Sequence, residues 1–196
     1  VKIFKDRQFI NSFWVTLKFS LIETPLQMLI GIIISAIIAK NNFFNRCVRS
    51  IYFLPVITSA VTVGIMWQML LHSNVGLFTW WLQILGFGKI NLLNDPNTAL
   101  YAVIGVSLWR SFGISTIILV SAIQNVPIDY YEAAELDGAS KIRQFFSITL
   151  PDIMPAVWFL LMTRIIGSLQ VFDIIYTLTN GGPNKSTNTL VLYVYT

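Results

Sequence analysis

The chain has 196 residues, of which 55% are hydrophobic and only 11% charged, with a net charge of +4. Soluble domains carry about 25% charged residues, so this composition cannot cover a globular surface and excludes an ordinary soluble domain. The bilayer is the expected solvent, and with no basic stripe along the chain there is no nucleic-acid partner to expect.

A helix needs about 20 mostly apolar residues to cross a hydrocarbon core of about 30 Å. Segments from about Phe13 to Ala39, Ile51 to Leu71, Thr98 to Ile123 and Pro155 to Leu178 meet that length. The expected fold class is therefore an all-α membrane protein, a multi-span helical bundle. The chain begins at Val1 and ends inside the apolar run 189–196, which reads as the opening of another helix. We expect a fragment truncated at both ends.

The first segment carries Lys18, Glu23 and Pro25. Pro25 predicts a kink, because proline removes a backbone donor and crowds the preceding turn. Lys18 can reach the nearer interface with its ammonium group. Glu23 lies too deep for that, and an ionisable group at such depth is paired or lines a pathway. A short basic loop follows, with Lys40, Arg46 and Arg49. Beyond the second segment, residues 72–97 form an outer loop whose stretch 77–85 is amphipathic and carries Trp80 and Trp81. Tryptophan favours the membrane interface, so this stretch is expected to lie there.

Arg110 sits midway along the third segment, Arg164 within the fourth, and Asp173 near its end. Charges at that depth face a bundle interior or a water-filled cavity. Between these two segments lies a polar insert, residues 124–154. Asp129 is placed to cap its first helix with Glu132 in return, Gly138 to end that helix in a left-handed conformation, and Ser140 to cap a second. The apolar residues Ile142, Phe145 and Phe146, with the methyl of Thr149, recur at helical spacing, and Pro151 is expected to stop this helix. Such a knob buries too little apolar surface to stand alone. It must pack on the spans or on another protein.

Cys47 is the single cysteine and His72 the single histidine, so neither an internal disulfide nor a metal cluster is expected, and no cofactor. Gly181 to Thr187 places Lys185 before Ser186, but it lacks the glycine spacing of a phosphate loop and holds Pro183 where backbone donors are needed. No nucleophile, base or metal set suggests an intramembrane enzyme. With the insert inside, positive charge divides evenly: Lys40, Arg46, Arg49, Lys141 and Arg143 against Lys2, Lys5, Arg7, Lys89 and Lys185. Discounting the N-terminal segment tips the balance toward a cytoplasmic insert.

The run Tyr131-Glu132-Ala133-Ala134-x-x-Asp137-Gly138-Ala139, followed by Thr149-Leu150-Pro151, resembles the cytoplasmic loop of binding-protein-dependent ABC importer permeases. Phe53-Leu54-Pro55, Trp109-Arg110 and Gln124-x-x-Pro127 fit the same family, so the likeness runs through essentially the whole chain. Phe172-Asp173 through Asn180-Gly181-Gly182-Pro183 resembles the outward loop of the carbohydrate group, related to maltose and glycerol-phosphate permeases. The resemblance implies the type I importer permease fold, lacking its first and last helices here. It implies a bacterial or archaeal cytoplasmic membrane, a second permease subunit that is a related but different chain, an extracytoplasmic solute-binding protein, and ATP hydrolysis on a separate ATP-binding subunit.

By that resemblance Glu132, Ala133, Ala134, Asp137, Gly138, Leu150 and Pro151 couple to the ATPase, and Gly181, Gly182 and Pro183 face the binding protein. Glu23, Arg110, Arg164 and Asp173 are the candidates for lining the path. The alternative is a stand-alone ion-coupled carrier or channel using those same charges.

Overall fold

The computed structural model describes residues 5–86 and 91–196, and every regular element among them is helical. Lys2 and Lys89, two of the outer charges counted above, lie outside the described residues.

Helix α1 (Arg7–Ile38) is 32 residues long, or about 48 Å at 1.5 Å per residue, longer than the hydrocarbon core is thick. Asp6 caps it, accepting from the Gln8 N–H at 2.8 Å. Its packing is inverted relative to a soluble helix. Ser12, Thr16, Ser20, Glu23, Thr24, Gln27, Gly31 and Ser35 are all buried, together with Val15, Phe19, Met28 and Ile38. Trp14, Leu21, Leu29, Ile33 and Ile37 are exposed. Lipid tails are as apolar as leucine, so burying leucine there gains nothing. Small residues that admit close backbone approach, and hydroxyls that bond across helices, hold such an interface together. Pro25 lies inside the uninterrupted helix. The ammonium group of Lys18 rests over the Tyr101 ring, 5.3 Å from its centroid.

The small-residue face of α1 meets α5 (Ala99–Gln124) and α9 (Met154–Leu169). Thr24 Oγ1 donates to Ser168 Oγ at 3.1 Å, and Ser20 Oγ lies 2.6 Å from that same hydroxyl. Gln27 Nε2 donates to the Ser111 carbonyl at 3.0 Å. Two apolar cores sit at the ends of this polar seam. One joins Phe19, Val63, Val103, Ile175 and Leu192; the other joins Met28, Leu119, Val126, Ile153 and Leu160.

The segment expected to cross as one helix from Ile51 to Leu71 is two helices, α2 (Phe43–Ile57) and α3 (Ala60–Leu70), bent by 97°. Pro55 removes a donor from the last turn of α2, Thr58 is extended, and its hydroxyl donates to the Leu54 carbonyl at 3.1 Å. The basic loop is shorter than expected because Asn42 caps α2 two residues after Lys40. Arg49 turns back to donate to the carbonyls of Ile38, Ala39 and Lys40, closing the C-terminus of α1 where a cation is favoured. Helix α4 (Leu77–Ile84) forms as expected, with Trp80 and Trp81 exposed.

The fourth segment also breaks. Helix α9 ends at Leu169 and α10 (Asp173–Leu178) follows after a short turn. By length and composition α1 and α5 can each cross a membrane, and the bent pairs 43–57 with 60–70 and 141–152 with 154–169 add two more if each counts as one span. Helix α11 (Leu190–Tyr195) returns against α1, where the Leu190 N–H donates to Thr16 Oγ1 at 2.9 Å and the Tyr193 hydroxyl to Asp6 Oδ2 at 2.7 Å.

Gly113 on α5 abuts α2 so closely that an added Cβ would collide with the Tyr52 carbonyl oxygen. Backbone cannot move aside as a side chain can, so Gly113→Ala should lower stability in detergent by about 1–3 kcal/mol, read as a lower thermal midpoint. The Tyr193 hydroxyl and the Gln8 N–H hold the Asp6 carboxyl below its ordinary range. A depressed folded pKa contributes stability that is present above the unfolded value of about 3.9. That contribution is lost as pH falls through the lower folded value. Asp6→Asn should therefore lower stability at neutral pH and flatten the acid limb of a pH–stability curve, the two proteins converging as pH falls below the folded value.

Candidate functional site

A cavity of about 240 Å³ lies at the mid-height of α1 and α5, between the two apolar cores. Glu23, Arg110, Arg164 and Asp173, four charged residues far apart in sequence, all line it. Glu23 is 5% exposed and accepts from Ser107 Oγ at 3.3 Å. No carboxylate oxygen lies within 4.0 Å of either guanidinium among the described residues. The charges therefore face a shared polar space rather than closing on one another as pairs.

Gln27, Ser107, Ser111 and Ser168 complete the polar wall. Reasoning from charges alone misses them. The signal for Gln27 was present in α1, where Ser20, Glu23 and Gln27 fall at i, i+3 and i+7 on one helical face. On two residues of this wall a buried atom has no hydrogen-bond partner among the described residues: Gln27 Oε1, an acceptor, and Arg110 Nε, a donor. Buried polar atoms are ordinarily satisfied, and an unmade bond at such an atom costs about 1–3 kcal/mol. A hydroxyl can donate to one and accept from the other.

The insert opens with α6 (Ile128–Leu136), then α7 (Lys141–Gln144), a π-helical stretch (Phe145–Thr149) and the short α8 (Leu150–Asp152). Asp129 does not cap α6. Pro127 already holds the N-cap conformation, so the helix starts at Ile128 and Asp129 stands in its first turn, favourable to the helix dipole. Gly138 adopts φ +73° and ends α6 as expected. Ser140 caps α7, accepting from the Arg143 N–H at 3.3 Å.

Pro151 lies within the second helix, which ends just after it at Asp152 and bends by 65° into α9. The chain widens into the π-helical stretch just before Pro151, with the Leu150 N–H reaching the Phe145 carbonyl, and the missing proline donor falls within the turn that follows. This extra residue per turn rotates the expected apolar face. Gln144 and Thr149 are buried, while Ile142 and Phe146 are exposed. Glu132, Ala133, Asp137, Gly138 and Pro151 are exposed, and Ala134 and Leu150 half-buried. Beside them stands Leu136, 91% exposed. The exposed apolar trio Leu136, Ile142 and Phe146 was absent from the expected coupling set. Lys141 pairs with Glu135 and holds that carboxyl below its ordinary range.

The outer loop differs from expectation in a specific way. Gly181 is buried against Leu192 and Asn188, and Gly182 and Pro183, joined by a cis peptide bond, are half-buried. Thr187 Oγ1 donates to the Gly182 carbonyl at 2.8 Å and lies 2.7 Å from Thr179 Oγ1, tying the loop to itself. The loop presents Asn180, Asn184 and Lys185 to its surroundings instead.

These features define a helical membrane protein with a polar mid-membrane cavity and a protruding helical insert. The chain belongs to the family of binding-protein-dependent transport system inner membrane components, whose family model matches residues 27–194. It is 33% identical over 195 residues to the trehalose/maltose transport system permease protein MalF of Thermococcus litoralis, covering 100% of this chain and 66% of that protein. It is 34% identical over 194 residues to the sulfoquinovosyl glycerol transport system permease protein SmoG of Agrobacterium fabrum, covering 98% of this chain and 63% of that one. The chain thus spans about two thirds of the length of the curated relatives it matches. Among solved structures it superposes with a TM-score of 0.90, at 26% identity, on a chain of a bacterial alginate ABC transporter in complex with alginate pentasaccharide-bound periplasmic protein, covering 99% of this chain and 68% of that chain.

At Gly138 an added Cβ would meet nothing within 4 Å, so its requirement is conformational alone. Gly138→Ala should cost about 1–2 kcal/mol from the left-handed backbone and leave the rest of the bundle unchanged, measurable as a small drop in thermal midpoint.

Proposed function

We propose that this chain is a permease subunit of an ATP-driven importer, forming part of the path for a carbohydrate. The observation that carries the reading is the cavity midway through the bundle, where a buried donor, Arg110 Nε, and a buried acceptor, Gln27 Oε1, both stand unpartnered. A polyhydroxylated solute supplies groups that donate and accept at once, and water can replace it as it leaves. The named substrates of the relatives and of the alginate transporter, trehalose, maltose, sulfoquinovosyl glycerol and alginate, share that chemistry.

The energy arrives through the insert. Leu136, Ile142 and Phe146 are exposed apolar side chains on the same insert as the exposed Glu132, Ala133 and Gly138. Exposed apolar patches rimmed by polar residues mark interaction sites, and this one docks on a separate ATP-binding subunit. Closing of that subunit on ATP shifts the permease between states facing inward and outward, which requires an interaction that differs between the two states. A second, related permease subunit completes the path, and an extracytoplasmic binding protein delivers the solute at the outer loops. The insert then faces the cytoplasm of a bacterium or archaeon.

The test is capture of the ATP-binding subunit by the full-length permease in membranes, comparing wild type with Gly138→Asp. Capture by wild type and its loss in the variant, with equal membrane insertion, is the expected result. Wild-type protein that captures no ATPase in an intact membrane complex would return the chain to the ion-coupled carrier.

A further inference from the structure

The insert must pass force to the spans, yet α6 is barely attached to them. Of its nine residues, only Tyr131 and Ala134 are not exposed, and none is buried. The ion pair between Lys141 and Glu135 is solvent-exposed, and exposed pairs contribute little. Tyr131 is different on two counts. It packs against the apolar core that joins α1, α5 and α9 through Met28, Leu119 and Leu160. Its hydroxyl lies 2.8 Å from Thr149 Oγ1, the last residue of the π-helical stretch, itself 5% exposed.

The π-helical stretch is what makes that second contact available. Widening the turn ahead of Pro151 rotates Thr149 inward, whereas its neighbours Phe146 and Ser147 point out. π-bulges recur at functional positions because they re-aim one side chain without ending the helix. The Thr149 carbonyl in turn accepts from the Ile153 N–H at 3.1 Å, at the base of α9. A continuous chain of contacts therefore runs from α6 through Tyr131 to Thr149 and into the helix that carries Arg164 and Ser168 toward the cavity.

Resting on the transporter reading above, we infer that the Tyr131–Thr149 hydrogen bond is the joint that makes α6 and α9 move as one body. Tyr131 is a positioning residue: it faces inward, away from the exposed docking patch, and holds the lever to the bundle. The bond suits that task. Part-buried beneath the insert, it meets less competition from water than the exposed Lys141–Glu135 pair.

The joint can be tested without knowing the transported solute. Spin labels at Tyr130 on α6, outside the docking patch, and Phe159 on α9, both exposed, report their separation after Cys47→Ser removes the native thiol. The sample is the full-length permease assembled with its ATP-binding subunit in lipid nanodiscs, nucleotide-free and trapped with ADP and vanadate. Wild type should show one narrow distance that is the same in both states. Tyr131→Phe keeps the ring and removes the hydroxyl. It should raise the population of displaced α6 about fivefold, the factor one net hydrogen bond carries. The double variant Tyr131→Phe/Thr149→Val should be no worse than Tyr131→Phe alone. ATPase capture should persist throughout, which separates positioning from docking.

A wild-type distance that changes between the two states, or an unaltered distribution in Tyr131→Phe, overturns the joint. So does loss of ATPase capture in Tyr131→Phe, which would put Tyr131 in the docking surface. Failure of the wild type to capture the ATPase overturns the transporter reading instead.

Discussion

The structure depends on the buried small-polar face of α1. In water a helix buries its apolar side because that removes hydrocarbon from solvent. In lipid that gain disappears, and the helix buries what lipid cannot satisfy. Ser12 through Ser35 on α1 obey this rule over the length of the span, meeting Ser111 and Ser115 on α5 and Ser168 on α9. Hydrogen bonds of this kind average only about 0.6 kcal/mol in membrane bundles, so no single one holds the fold. Repetition along the seam, with close approaches such as Gly31 against Ser115, sets which helices neighbour one another.

The cavity follows from the same seam. Where small residues of α1 and α5 meet, the helices close; where Glu23, Arg110 and Arg164 meet, their length and charge hold the helices apart. Deep charges in a bilayer are costly and face interior water or one another. The two apolar cores lie on either side of that polar space within this chain. A soluble protein of this size concentrates its hydrophobic residues in one core; this bundle divides them to leave a polar middle.

The insert shows the opposite economy. It exposes Leu136, Ile142 and Phe146 to whatever lies outside the chain and uses Tyr131, bonded to Thr149 and packed on the core below, for attachment to the bundle. A patch that must be free to dock cannot also fasten the element that carries it. Dividing the two tasks between opposite faces of a short helix pair resolves that conflict.

Much was legible in the sequence because it depends on composition and on residues near in the chain. The scarcity of charge selected the bilayer, Gly138 marked a left-handed helix end, Ser140 marked a cap, and the Glu-Ala-Ala run carried the family. The depth of Glu23, Arg110, Arg164 and Asp173 in apolar segments was enough to single them out. Sequence could not show that these four share one cavity, since convergence depends on how α1, α5, α9 and α10 pack. It also could not give the 97° bend between α2 and α3, or the π-helical turn that hides Thr149 and exposes Phe146. Local propensity identifies where a helix can weaken, at Pro55 or ahead of Pro151. Which way the chain turns there is decided by contacts with residues distant in sequence, and those exist only once the bundle has closed.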